Sequence, residues 1–268
     1  MIKVIGQDKI LNYIDSKKRD SFPRSLILLG ESGSGKSTLI EYIGEKLNLP
    51  IVDITSSINF EFIMSLYEKP EPYLYKIQAS DITIKEQNAL LKFIEEPLKN
   101  SFIVIEVESS NQLLPTIYNR CQVLNFVPYS REVLDNFVTN VNNNCDKNLV
   151  LNIGRTPGQV KSLMNCDLVG MLELSNKIIT KIGGANVPNI LTISDKIAWK
   201  KEKDKFDLGV FSLVLNYAIK EQIKGGGNYF EMYKILSDWN TKRKAPTIIQ
   251  KSLFENTLLK LKVASSSN

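Results

Sequence analysis

The sequence predicts an α/β fold built on a parallel sheet, with a helical part after it. Short β-branched or apolar runs recur at 26–30, 51–54, 73–79, 102–107 and 122–126, and helical patterning separates them. Strands that alternate with helices pair in parallel and are covered on both faces. Beyond Pro128 the strand-like runs stop, and helical patterning with Gly/Pro breaks takes over.

Each element has a local reason. Leu-Ile-Leu-Leu-Gly at 26–30 is a short apolar run closed by Gly, the pattern of a buried strand. A Gly/Ser loop follows it, and then the helical pattern TLIEYIGEKL. Residues 84–96 place apolar side chains at 90, 91 and 94, an amphipathic helix stopped by Pro97. Segments 131–142, 146–153 and 157–164 read as short helices, with Gly154 and the Thr156-Pro157-Gly158 turn between the last two. From 168 onward helices are expected, broken at 183–188 and 225–227 and ending in a frayed polar tail. These changes of texture set boundaries near 128–130 and 165–170.

The chain has 268 residues, 43% hydrophobic and 24% charged, as ordinary globular proteins do. No run approaches the roughly 18 apolar residues of a membrane span, and MIKVIGQDKI lacks the layout of a secretory signal. A cytoplasmic protein is expected, with no membrane partner. Cys121, Cys145 and Cys166 are far apart and the chain has no His, so zinc is not expected and the cysteines read as reduced, buried, small apolar side chains. The missing His also excludes the usual triads, leaving Lys, Arg, carboxylates, hydroxyls and backbone amides for any chemistry. Residues 196–262 carry 14 Lys/Arg against 7 Asp/Glu. Such a basic third suits a polyanion or an acidic surface, or is a solvated helical face.

Gly30-Glu31-Ser32-Gly33-Ser34-Gly35-Lys36-Ser37 fits G-x-x-x-x-G-K-[ST] at every fixed position, between a strand and a helix. The glycines let successive N–H groups turn toward phosphate oxygens, and the helix that follows adds its N-terminal dipole. Lys36 is expected at the β/γ-phosphates of ATP and the Ser37 hydroxyl on Mg²⁺, with Thr38 completing the nucleotide-binding segment. A flexible Gly/Ser turn is the bland alternative.

A second pair of motifs is more specific. Asn88-Ala-Leu-Leu-Lys-Phe-Ile-Glu-Glu-Pro97, followed by Leu113-Leu-Pro-Thr-Ile-Tyr-Asn-Arg-Cys121, resembles the NALLK-x-x-EEP and LLPTI-x-SRC motifs of the bacterial DNA polymerase III clamp-loader subunits, gamma/tau and delta-prime. Ile5-Gly6-Gln7 and Gly154-Arg-Thr-Pro-Gly158 match as well, so the similarity covers roughly residues 1–165. The resemblance implies an AAA+ nucleotide-binding domain at 1–128, a small helical lid at 129–168 and an all-α collar at 169–268 that joins subunits into a ring. It implies ATP and Mg²⁺ as cofactors, and other loader subunits, a sliding clamp and primer-template DNA as partners. It maps the arginine finger, which reaches a neighbour's nucleotide, onto Arg120; otherwise Arg120 is a surface residue capping a helix C-terminus.

Departures from the family pattern shape the expected role. The family's Asp-Glu pair after the third strand falls on Ile77 and Gln78, neither of which holds a metal as a carboxylate does. Asp81 could substitute, or could cap the next helix. Ser109 and Lys161 are sensor candidates, and Lys85 and Lys92 candidates for DNA contact, though each also fits a solvated helix or loop. The stretch between Ser37 and Tyr73 holds no cysteine, whereas family members usually insert a four-cysteine zinc module there. A compact phage, mobile-element or reduced-genome version is plausible.

The expectation is therefore a delta-prime-like subunit that binds ATP, offers Arg120 to its neighbour and hydrolyses weakly or not at all. The alternatives are a hydrolysing gamma-type motor using Asp81, and a stand-alone P-loop kinase using Asp53.

Overall fold

A computed structural model of the chain describes residues 4–68, 70–140, 145–198, 207–243 and 250–266. These form two compact units, Met1–Val133 with Thr156–Gly158, and Leu134–Arg155 with Gln159–Asn268.

The first unit is built on one five-stranded sheet. Strands β1 (Ser25–Leu29), β2 (Ile51–Asp53), β3 (Leu74–Gln78), β4 (Phe102–Val107) and β5 (Gln122–Asn125) are all parallel, in the order β2-β3-β4-β1-β5. The five predicted runs are the five strands, each within a residue or so of its expected ends. Helices α1 (Asp8–Ser16), α2 (Lys36–Leu47), α3 (Phe60–Glu68), α4 (Ile84–Glu95) and α5 (Pro115–Tyr118) cover it.

Successive side chains of a strand point to opposite faces, and both faces here are apolar. On one, Ile27, Tyr75, Ile77, Ile103 and Ile105 pack with Ile63 of α3, Leu90 and Phe93 of α4 and Ile117 of α5. On the other, Leu26, Leu28, Leu74, Phe102 and Val104 pack with Ile10 and Ile14 of α1 and Leu39, Ile40 and Ile43 of α2. Burial on both faces is why these strands read as continuous apolar runs without alternation. It also means that a charged residue within β4 needs a partner.

Thr83 caps α4. Its hydroxyl accepts from Glu86 N while the Glu86 carboxylate accepts from Thr83 N, a reciprocal box that satisfies two end amides. Asp81, the cap expected from the sequence, instead ends a short 3₁₀ turn (Ala79–Asp81) and accepts from Ser80. The box needs an acceptor three residues ahead of a Glu, and Thr83 meets that spacing.

Every regular element among the described residues of the second unit is a helix: α6 (Arg131–Asn140) and α8 (Pro157–Met164), which both begin in the first unit, with α7 (Lys147–Ile153), α9 (Leu168–Lys181), α10 (Val187–Ala198), α11 (Leu208–Lys224), α12 (Phe230–Lys242) and α13 (Gln250–Ser266). Phe254 of α13 meets Phe211 of α11 edge-on at 6.4 Å between ring centres and Trp239 of α12 at 5.2 Å. Lys200, Lys201, Lys203, Lys205 and Lys244 of the basic C-terminal third lie outside the described residues, as does the end of the helix expected to 142.

Candidate functional site

The loop from Gly30 to Gly35 joins β1 to α2 at the carboxyl end of the sheet. Gly33 and Gly35 hold φ of 75° and 90°, the left-handed region where Gly carries no side-chain penalty. Every carbonyl from Gly30 to Ser34 is engaged. The Lys36 ammonium, itself buried, donates to Gly30 O at 2.7 Å and Glu31 O at 2.9 Å. Thr156 Oγ1 donates to Ser32 O at 2.8 Å, Gly158 N to Gly33 O at 2.9 Å and Tyr129 Oη to Ser34 O at 2.6 Å. Of its amides, Gly30 N donates to Val107 O and Ser34 N to Glu31 O. The Ser34 hydroxyl is buried without a hydrogen-bond partner, an orphaned polar atom within the loop. Glu31, Ser32 and Ser37 are exposed and Thr38 is half-buried.

Tyr129 is itself positioned by the opening motif. The Gln7 amide, 1% exposed, bonds both Val127 O and Val127 N, at 2.9 and 3.0 Å, and so fixes the chain as it leaves β5. Burial holds the Tyr129 phenol above its ordinary pKa, so it stays a hydrogen-bond donor.

A line of charges crosses the sheet beside the loop. Ser37 Oγ donates to Glu106 Oε1 at 2.9 Å. The Lys76 ammonium lies 3.4 Å from that same oxygen and 3.7 Å from Asp53 Oδ2. Glu106 is 4% exposed. Sheet parity explains the arrangement: Glu106 is in phase with Phe102 and Val104, hence on the face packed by α2, and Lys76 is in phase with Leu74 on that face. Asp53 is partly desolvated, which raises its pKa, but hydrogen bonds from Thr55 and the Lys76 charge outweigh this and lower it. It is thus tied into the sheet edge. Ile77 is buried in the opposite layer, and Gln78 is the register partner of Glu106 on β3. Asp81 is exposed.

Arg120 follows α5. Its Nη1 donates to Thr116 O at 2.9 Å and its Nε sits 2.5 Å from Glu95 Oε1 at the end of α4. Within this one chain it therefore does cap a helix C-terminus, the structural alternative. Both partners are nearly half exposed, and such pairs contribute about 0–1 kcal/mol, so the guanidinium is cheaply redeployed. Buried Gln87 fixes the segment, donating to Gln112 O at 2.9 Å and accepting from Leu114 N at 2.8 Å.

The cysteines are free, as expected, but half-buried and not buried. Cys121 enters β5, the edge strand, where packing is one-sided. Burial of its thiol still pushes the pKa up to about 12. The thiol thus stays protonated at neutral pH, and we expect Cys121 to react with iodoacetamide far more slowly in the native protein than after unfolding; equal rates by mass spectrometry would contradict this burial.

The remaining candidates are dispersed. Ser109 is exposed and its amide donates to Gln112 Oε1. Lys161 is exposed on α8. Lys85 and Lys92 are exposed on α4, and Lys92 lies 5.7 Å from the Tyr67 ring centre. Sequence reasoning missed Tyr129 and Lys76 altogether, and named Thr156 and Gly158 only as parts of a turn. It saw Glu106 only as a letter beside Ser109; a lone carboxylate inside Ile103-Val-Ile-Glu-Val107 was the available signal. Among the described residues, no three Cys, Asp or Glu side chains cluster to hold a metal by themselves.

Residues 57–130 match the family model described as DNA polymerase III, delta subunit. This segment contains α3, α4, α5 and the motifs around Asn88 and Arg120. The chain resembles the DNA polymerase III clamp-loader AAA+ subunits. It is 35% identical over 82 residues to DNA polymerase III subunit delta' of Haemophilus influenzae, covering 31% of this chain and 25% of that protein. It is 41% identical over 63 residues to the Bacillus subtilis subunit delta', covering 23% and 19%. The chain thus aligns with a quarter or less of the length of these clamp-loader relatives. Among solved structures, a RuvB variant from Thermotoga maritima matches with a TM-score of 0.51 at 16% identity, covering 97% of this chain and 87% of that one. That likeness concerns the fold, a parallel five-stranded sheet followed by a mostly helical part. No described helix is long and apolar enough to cross a membrane.

Proposed function

We propose that this chain is a subunit of a DNA sliding-clamp loader in DNA replication, one that binds ATP at Gly30–Thr38 and supplies Arg120 to a neighbouring subunit's nucleotide. The observation that carries the reading is that the segment matched by the delta-subunit family shares one sheet with an intact phosphate loop whose carbonyls are all engaged. On this reading the amides around Gly33 and Gly35 and the α2 N-terminus hold phosphate oxygens, and Lys36 moves from the Gly30 and Glu31 carbonyls to the β/γ-phosphates. The donor set fits ATP with Mg²⁺: hard oxygens from Ser37 and a nearby carboxylate suit a cation that draws its other ligands from phosphate and water. Bound Mg²⁺ would neutralise phosphate charge.

Ile77 and Gln78 support weak or absent hydrolysis, since neither can act as a base. The hydrolysing gamma-type alternative would need Asp81, which is exposed and occupied by Ser80. A stand-alone kinase would need Asp53, which Thr55 and Lys76 already engage. The reading includes a lid at 129–168, a ring-forming collar at 169–268, and other loader subunits, the clamp and primer-template DNA as partners, in the cytoplasm.

The test is ATP titration of wild type and Lys36→Ala. Loss of a charged hydrogen-bonding group is expected to weaken binding by about 1.5–3 kcal/mol, roughly ten- to a hundredfold. Equal affinities would exclude this loop as the nucleotide site, and failure to co-purify with loader subunits would exclude the assembly.

A further inference from the structure

The carboxylate missing from the end of β3 has a counterpart on the adjacent strand. Resting on the ATP-binding reading above, we infer that Glu106 of β4 is the metal-side carboxylate of this nucleotide site, acting with the Ser37 hydroxyl on the Mg²⁺ that accompanies ATP.

Three observations meet at this side chain. First, Glu106 Oε1 accepts from Ser37 Oγ at 2.9 Å, so the carboxylate already addresses the P-loop hydroxyl from the α2 face of the sheet. Second, Glu106 is a nearly fully buried charge in the most deeply buried strand, between Ile105 and Val107. An apolar residue there would pack without the desolvation cost of a carboxylate, which only its partners offset. Third, Gln78 is its register partner on β3, so Glu106 supplies a carboxylate directly beside the position where β3 carries only an amide.

Lys76 makes the arrangement switchable. Its ammonium neutralises Glu106 at 3.4 Å but also lies 3.7 Å from Asp53, so a metal ion arriving at Glu106 leaves the lysine with a partner. With Mg²⁺ at Glu106 and Lys76 left on Asp53, the carboxylate serves the cation and not an attacking water. The site would then bind Mg²⁺·ATP without turning it over readily.

The test separates this role from simple packing. ATP affinity is measured with Mg²⁺ and with EDTA, and Mn²⁺ binding by electron paramagnetic resonance, for wild type, Glu106→Gln and Glu106→Asp. Glu106→Gln keeps an acceptor for Ser37 while removing the charge. It is expected to cut the Mg²⁺-dependent gain in ATP affinity and the affinity for Mn²⁺ about tenfold. Metal-free ATP affinity should hold or rise, because a negative charge near the phosphates is gone. A merely structural Glu106 would instead lower both affinities together. Retention of the full Mg²⁺ gain in Glu106→Gln would overturn the inference while leaving the phosphate site intact. No ATP binding by wild type under either condition would overturn both. Should Glu106→Gln fail to fold, Glu106→Asp decides, since it keeps the charge beside Lys76 but shortens its reach: loss of the Mg²⁺ gain with metal-free ATP affinity kept supports the inference, and a retained gain or an equal fall in both affinities overturns it.

Discussion

Gly158→Ala is expected to weaken ATP binding by about 1–3 kcal/mol, the cost of overpacking, or roughly five- to a hundred-and-fiftyfold. A Cβ at this position would lie 2.5 Å from Gly33 Cα and 3.0 Å from Gly33 O. Both are backbone atoms, so no rotamer change relieves the clash and the loop itself must move. Gly158 N also donates to Gly33 O, so the displacement breaks a loop hydrogen bond as well. Gly33 is in the left-handed region, and moving it re-aims the amides on either side. Titration with ATP measures the loss, and a retained cooperative melting transition would show that the sheet survives. Affinity equal to wild type would mean that the contact does not shape the phosphate site.

The second large effect concerns a neighbour. Arg120→Ala in an assembled loader should lower the ATPase rate of the adjacent subunit by about 10³–10⁵-fold, the contribution of a trans arginine to phosphoryl transfer. The variant's own ATP affinity should stay unchanged, because Arg120 is held by Glu95 and Thr116 and by no atom of its own loop. Mixed assemblies read this directly: the rate lost should be that of the subunit facing Arg120→Ala. Loss of the variant's own nucleotide binding instead would show that Arg120 acts in cis or through folding.

Parts of this site were legible in the residues because they are local. A P-loop is a contiguous string whose glycines, lysine and serine all act within one turn, and strand–loop–helix context followed from apolar periodicity. The helix at 84–95 was legible from its pattern, but its cap was misread: Asp81 and Thr83 both suit an N-cap, and only the reciprocal bonds with Glu86 distinguish them. Leu90 and Ile94 are buried as expected, but Phe93 joins them and Leu91 is only half-buried.

By itself the sequence determined a parallel α/β sheet and the segment shared with the delta-subunit family, and it marked the Gly/Ser loop at 30–37 as the candidate phosphate site. Tertiary structure decided what surrounds them. Tyr129, Thr156 and Gly158 reach the loop from about a hundred residues away in sequence, through hydrogen bonds that no periodicity reports. Glu106 reached Ser37 because strand parity set it on the α2 face and sheet order put β4 next to β1. A strand buried on both faces shows no alternation, so its sequence cannot say toward which layer a carboxylate points; only the folded sheet assigns the face.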